Sequence, residues 1–159
     1  MPLTRDQLLN YKATSKITFD LDPIQLGMPT PWHVAVASII SLNSRIHRRA
    51  AVEQVLTRWP SANELAVADI DQLFRALYGV YNRRRVAAQL PRFSAEWLSP
   101  NWTNVFEIRA LPVYAIDCIG IFCFHQFDLI SKHPQLEAFI GVLHDFCKAE
   151  SAPNLPATT

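Results

Sequence analysis

One carboxylate stands out by its surroundings. Asp117 lies in the run VYAIDCIGIFCF, residues 113 to 124, where nearly every neighbour is apolar. An ionised side chain in such a setting is poorly solvated. Such a residue is a candidate for a functional role. The same residue type in the first turn of a helix can instead accept bonds from free backbone N–H groups, and the local sequence does not choose between these roles.

Cationic side chains cluster twice, at Arg45, His47, Arg48 and Arg49 and at Arg83, Arg84 and Arg85. Taken by themselves such clusters read first as solvated helix faces. The formal net charge of +1 excludes a strongly basic protein, but it allows a basic face balanced by acidic residues elsewhere. Cys118, Cys123 and Cys147 are odd in number, lie on apolar segments and lack paired C-x-x-C spacing. They read as small core residues in a reducing compartment, with no metal site.

The chain that positions these groups has 159 residues, 50% of them hydrophobic and 18% charged, which suits one packed domain needing no disulfides. The polar N-terminus carries no signal peptide, and the apolar run from Trp32 to Leu42 is too short to cross a bilayer. A soluble intracellular protein without membrane contact is expected. The pattern predicts an all-α, compact multi-helix bundle. Residues 1–30 should form a short helix opened by Thr4 and an irregular strap; residues 31–148 the helical domain; residues 149–159 a disordered tail.

Within the domain, Pro31 suits a first helical position, and WHVAVASIISL after it is apolar nearly all round, as a central helix would be. A helix from His47 to Trp59 should turn Ala50, Ala51, Val52, Val55, Leu56 and Trp59 inward and end at Pro60. Asp69 can cap the next, whose inward face is Ile70, Leu73, Phe74 and Leu77, before Gly79 breaks it. From Tyr81 to Leu98 the buried candidates are Val86, Leu90, Phe93, Trp97 and Leu98, with Pro91 expected to kink or divide the helix. Helices are also expected from Trp102 to Ile108, from about Tyr114 to Phe124, and from Gln135 to Lys148.

Four segments, in order and spacing, carry a resemblance to a known family: PWHVAVASIISLN at 31 to 43, RWPSANELAVADIDQL at 58 to 73, YGVYNRRR at 78 to 85, and WTNVFEIRALPVYAIDCIGIFC at 102 to 123. Over about residues 29 to 145 the chain resembles the helix-hairpin-helix DNA glycosylase superfamily, and within it the methyl-CpG-binding-domain type thymine and uracil mismatch glycosylases. The last segment is the most specific, pairing an aromatic residue, Tyr114, three positions before Asp117 with the run Ile121-Phe122-Cys123 after it.

The resemblance implies hydrolysis of the N-glycosidic bond of a base flipped out of double-stranded DNA, with Asp117 as the catalytic carboxylate. It implies a base pocket that includes Asn43, Trp97 and Tyr114, although Trp97 suits a core position equally well. It implies DNA contacts at Ser44 and Arg45 after the first helix end, and at Leu111 and Val113 in the hairpin. Val80 would be the wedge that fills the gap in the base stack, with Arg83, Arg84 and Arg85 beside it on phosphates. The segment RALPVYAID supplies no lysine for Schiff-base chemistry, so the implied enzyme is monofunctional. Only Cys147 lies near the region where relatives hold an iron–sulfur cluster, so no cofactor is expected. The implied protein is a monomer, nuclear in a eukaryote and otherwise cytoplasmic.

One departure qualifies this. The family's two hairpin glycines are replaced in Ala110-Leu111-Pro112-Val113. Glycine lets backbone N–H groups come close to a phosphate, and Pro112 also removes a donor. Two functional readings therefore stand: a monofunctional DNA glycosylase of base excision repair, and a catalytically inactive module of that fold for DNA binding or protein interaction.

Overall fold

The computed structural model describes residues 2–12, 28–43 and 48–126. The helix expected from 135 to 148, the tail after it and most of the strap before Thr30 lie outside the described residues. Those described form seven α-helices and one 3-10 turn without a named strand, so the all-α reading holds.

Local chemistry sets most helix ends. Thr4 caps α1 (Arg5–Leu9) in a reciprocal box with Gln7. Thr30 caps α2 (Pro31–Leu42), which has Pro31 at its first position. Asp69 accepts from the N–H groups of Asp71 and Gln72 to start α5 (Ile70–Ala76). Helix α3 (Arg48–Arg58) ends before Trp59-Pro60. A short helix that the apolar periodicity did not indicate, α4 (Ala62–Ala66), follows. Its signal lies in the polar residues, since Ser61 accepts from the Glu64 N–H and donates to the Glu64 carboxylate.

Helix α6 (Arg83–Leu98) runs unbroken through Pro91, so the expected division does not occur, and it starts two residues later than expected. Where a helix from Trp102 to Ile108 was expected there is only the 3-10 turn Val105–Glu107. The Asn104 side chain opens that turn, and the Glu107 carboxylate folds back onto the Thr103 N–H at 2.6 Å. These bonds from Thr103 hold the Glu107 carboxyl below the usual carboxylate range. An isolated antiparallel bridge, Thr4 to Asn104, ties the N-terminus to the same turn.

Helix α2 is the axis of the bundle. Val34, Ala35, Val36, Ala37, Ile39 and Ile40 are all buried, as expected of a helix without a polar face. It packs against α3, α6 and α7 (Val113–Phe124), while α4 and α5 pack on α6. At one end the Trp32 indole N–H donates to Ser94 of α6 at 3.1 Å, satisfying two buried polar groups at once. Three residues expected inside are exposed: Ala50 near the start of α3, Ile70 at the first position of α5 and Leu98 at the last of α6. Each sits near a helix end.

Candidate functional site

Asp117 is the fifth residue of α7, one turn beyond its start. The N-cap is Pro112, and no acidic residue lies in the first turn. Asp117 therefore lies one turn past the positions at which a carboxylate caps a helix start. Residues three and four apart share a helix face, so Asp117 lies between Val113 and Tyr114 below it and Gly120 and Ile121 above. Tyr114, Gly120 and Ile121 are buried and Val113 is exposed; Asp117, between them, is half-buried. Asp117 thus lies at the edge of the apolar core. Since α7 packs along α2, the position of Asp117 is set by the most buried of the described helices.

The far end of α7 is sealed. The Tyr11 ring meets Phe124 edge-on at 5.6 Å between centroids, and the Cys118 and Cys123 side chains are buried. Burial, with Cys118 beside it, pushes the Cys123 thiol up to about 12 against a lowering contribution from Tyr11. Cys123 is therefore a protonated core residue rather than a nucleophile.

The turn before α7 is held from outside itself. The Ala110 N–H donates to the Glu96 carboxylate at 3.1 Å, and the Ala110 carbonyl accepts from the Gln89 side chain at 2.9 Å. The Leu111 N–H is committed to the Ile108 carbonyl at 3.2 Å, and Pro112 has no N–H. None of the three residues 110–112 therefore presents a backbone donor to a phosphate. Leu111 is buried, which leaves Val113 as the outward side chain of the turn.

A second group of the expected residues gathers at the C-terminal end of α2. The Asn43 side chain donates back to the Ile39 carbonyl at 2.9 Å, and the Asn43 backbone carbonyl accepts the Tyr81 N–H at 2.6 Å. This bond fastens the loop Tyr78–Asn82 to α2. Gly79 and Asn82 both adopt positive φ, 83° and 52°, and between them the backbone turns Val80 inward to 7% exposure. The tyrosines on either side, Tyr78 at 72% and Tyr81 at 59%, stand outward instead.

The three arginines after the loop divide in role. Arg83 is half-buried, with its guanidinium donating to the Phe74 and Arg75 carbonyls and lying 4.1 Å from the Phe74 ring centroid, so it braces α6 onto α5. Arg84 and Arg85 are exposed. Trp97 is buried between Phe93 and Trp102, at 5.8 and 5.4 Å, and its carbonyl accepts the Trp102 indole N–H, as in a core position. Ser44 and Arg45 lie outside the described residues.

Two surface grooves, one of about 530 Å³ between α3 and α5 and one of about 290 Å³ beside Glu96, Asn101 and Arg109, are not lined by Asp117. Among the described residues no group of three His, Cys, Asp or Glu side chains is placed to hold a metal ion. Nor is any described helix long and apolar enough to cross a membrane.

The chain is similar to a plant protein of DNA-related name. Over 110 residues, 67% of this chain, it is 26% identical to the Methyl-CpG-binding domain protein 4-like protein of Arabidopsis thaliana. The match spans 24% of that relative's length. No family model matches the chain. The similarity supports a relation to DNA-binding proteins.

Proposed function

We propose that this chain is a monofunctional DNA glycosylase of the helix-hairpin-helix type, acting on a mismatched or damaged base, with thymine or uracil opposite guanine as the first candidates. The observation that carries the reading is Asp117 itself: a half-buried carboxylate past the cap of an apolar helix, following the turn at 110–112, in a chain similar to a methyl-CpG-binding domain protein 4-like protein.

In this reaction the bond between C1′ of the deoxyribose and the base nitrogen breaks, and its electron pair leaves with the base. Positive charge spreads over C1′ and the ring oxygen. The Asp117 carboxylate stabilises that charge and accepts a proton from the water whose oxygen bonds to C1′; the proton then passes through solvent to the departing base anion, which restores the carboxylate and leaves an abasic sugar and a neutral free base. One acid suffices, and no covalent step is required.

A specific observation favours a second reading. With the Ala110 and Leu111 N–H groups committed inside the protein and Pro112 lacking one, this turn holds a phosphate less well than a glycine turn does. A noncatalytic DNA-binding or protein-interaction module accounts for that loss.

The deciding experiment incubates labelled duplexes containing G·T, G·U or other damaged bases, then cleaves abasic sites with alkali. Product from the native chain and none from Asp117→Asn supports the glycosylase. No product across a broad lesion panel, with salt-sensitive DNA binding intact, supports the binding module.

A further inference from the structure

We infer that Tyr78 and Tyr81, rather than Val80, form the surface on which this protein stacks an unpaired base of duplex DNA. The inference rests on the DNA-directed reading above and is independent of catalysis.

Exposure separates the three side chains of the loop. Val80 is buried in the core, whereas Tyr78 and Tyr81 are among the most exposed large apolar side chains of the described residues. A buried valine cannot enter a base stack without leaving the core, and two outward aromatic rings need no such change. Aromatic side chains offer a flat face to any base, and they do so with few torsions to freeze.

The rings are carried on a braced backbone. The Tyr81 N–H bonds to the Asn43 carbonyl at 2.6 Å and the Val80 N–H to the Leu77 carbonyl at 3.1 Å. The Arg83 guanidinium lies 5.8 Å from the Tyr78 ring centroid while it holds the Phe74 and Arg75 carbonyls. Gly79 and Asn82 set the reversal of the chain on either side. The loop's shape is thus built before any partner arrives, which reduces the ordering cost of binding.

Charge identifies the occupant as nucleic acid. Arg84 and Arg85 follow the loop directly and are exposed, and Arg75 lies exposed on α5 beneath Arg83. Stacking rings bordered by exposed guanidinium groups match a polyanion that carries aromatic bases. An apolar protein partner would leave these charges unanswered.

The test uses the full chain and two duplexes of one sequence, one intact and one with a single abasic-site analogue that leaves its opposite base unpaired. Affinities are read by fluorescence anisotropy at fixed salt. A 2-aminopurine placed as the unpaired base reports stacking through its quenching. The native chain is expected to bind the abasic duplex more tightly and to quench the probe. Tyr78→Ala and Tyr81→Ala are expected to weaken that binding by about fivefold or more, to leave the intact duplex little affected and to reduce quenching. Tyr81→Phe should retain it.

Tyrosine-to-alanine variants that bind and quench as the native chain does would overturn the inference. So would equal losses on both duplexes, or a native chain without affinity for either. Both substitutions are at exposed positions, and circular dichroism confirms folding. The abasic duplex has no base to release. A chain that passes this test yet releases no base in the alkali assay would therefore overturn the glycosylase reading alone.

Discussion

Glu96 of α6 accepts the backbone N–H of Ala110 at 3.1 Å, across 14 residues of sequence. With Gln89, which donates to the Ala110 carbonyl, it clamps the turn that delivers the chain into α7. The turn's shape is thereby fixed by side chains of a neighbouring helix, where the resembled family uses glycine. Arg92 adds an exposed contact to the same carboxylate at 3.2 Å, of little weight for stability.

Glu96→Ala leaves the Ala110 N–H without its acceptor. A loss of about 1–2 kcal/mol in unfolding free energy is expected, measured by urea denaturation. Glu96→Gln keeps an acceptor oxygen and should recover most of it. Equal stability of the native chain and both variants would show that the clamp has no energetic role.

Asp117→Asn preserves shape and removes the charge. If the glycosylase reading is right, single-turnover base release falls by roughly a hundredfold or more while circular dichroism remains native. A variant that retains the native rate would remove Asp117 from the chemistry.

The arginines next to the aromatic loop should separate by assay. Arg84→Ala and Arg85→Ala are each expected to reduce the slope of log affinity for DNA against log salt by about 1, without loss of stability for Arg85→Ala and with a loss of at most about 1 kcal/mol for Arg84→Ala, whose guanidinium lies 5.3 Å from the Phe74 ring centroid. Arg83→Ala should instead cost about 1–2 kcal/mol of stability, since it removes bonds to two backbone carbonyls and the contact with Phe74. Identical behaviour of all three would contradict the division of roles.

His33 predicts an acid dependence of stability. Its Nε2 contacts the Pro60 carbonyl at 3.2 Å and its Nδ1 the Thr30 hydroxyl at 2.6 Å, a pattern that fits the neutral ring with the proton on Nε2. Burial lowers its pKa below the ordinary 6.5, with the Pro60 bond opposing that shift. As pH falls through 6.5 the unfolded chain takes up a proton that the folded chain refuses, so stability declines on acidification and is insensitive to this group above that value. Urea midpoints at about pH 7.5 and about pH 5.5 should differ less in His33→Gln than in the native chain. An unchanged difference would assign the dependence to other groups.

Ser94→Ala strands the Trp32 indole N–H inside the core. A destabilisation of about 1–3 kcal/mol is expected by thermal or urea unfolding, far more than a serine-to-alanine change on the surface. A change within about 0.5 kcal/mol would mean that the indole finds another partner.

Much of the helical framework is legible from residues close together in the chain. Thr4 with Gln7, Thr30 before Pro31, and Asp69 before Ile70 each mark a helix start, because a cap and its N–H partners lie within three residues of one another. Ser61 with Glu64 carries the same signal for α4, and attention to apolar periodicity alone passes over it. Pro91 does not divide its helix. The helix absorbs it because buried Leu90, Phe93 and Trp97 hold both halves to one core.

The central position of α2 also follows from composition, since a helix with no polar face must be surrounded. Asp117 is conspicuous for the related reason that a carboxylate is rare in an apolar run. Its place past the helix cap depends on where α7 starts, at Val113, and so on the geometry of the turn at Pro112.

Bonds and burial between distant segments had to await the folded chain. Glu96 and Gln89 meet Ala110 across 14 and 21 residues, Arg83 turns back to α5, and Val80 enters the core while Tyr78 and Tyr81 remain outside. No local spacing encodes these choices. Helix propensity, capping and apolar periodicity act over a turn or two of chain, whereas a side chain's exposure and its long-range partner depend on which helices come to lie against it.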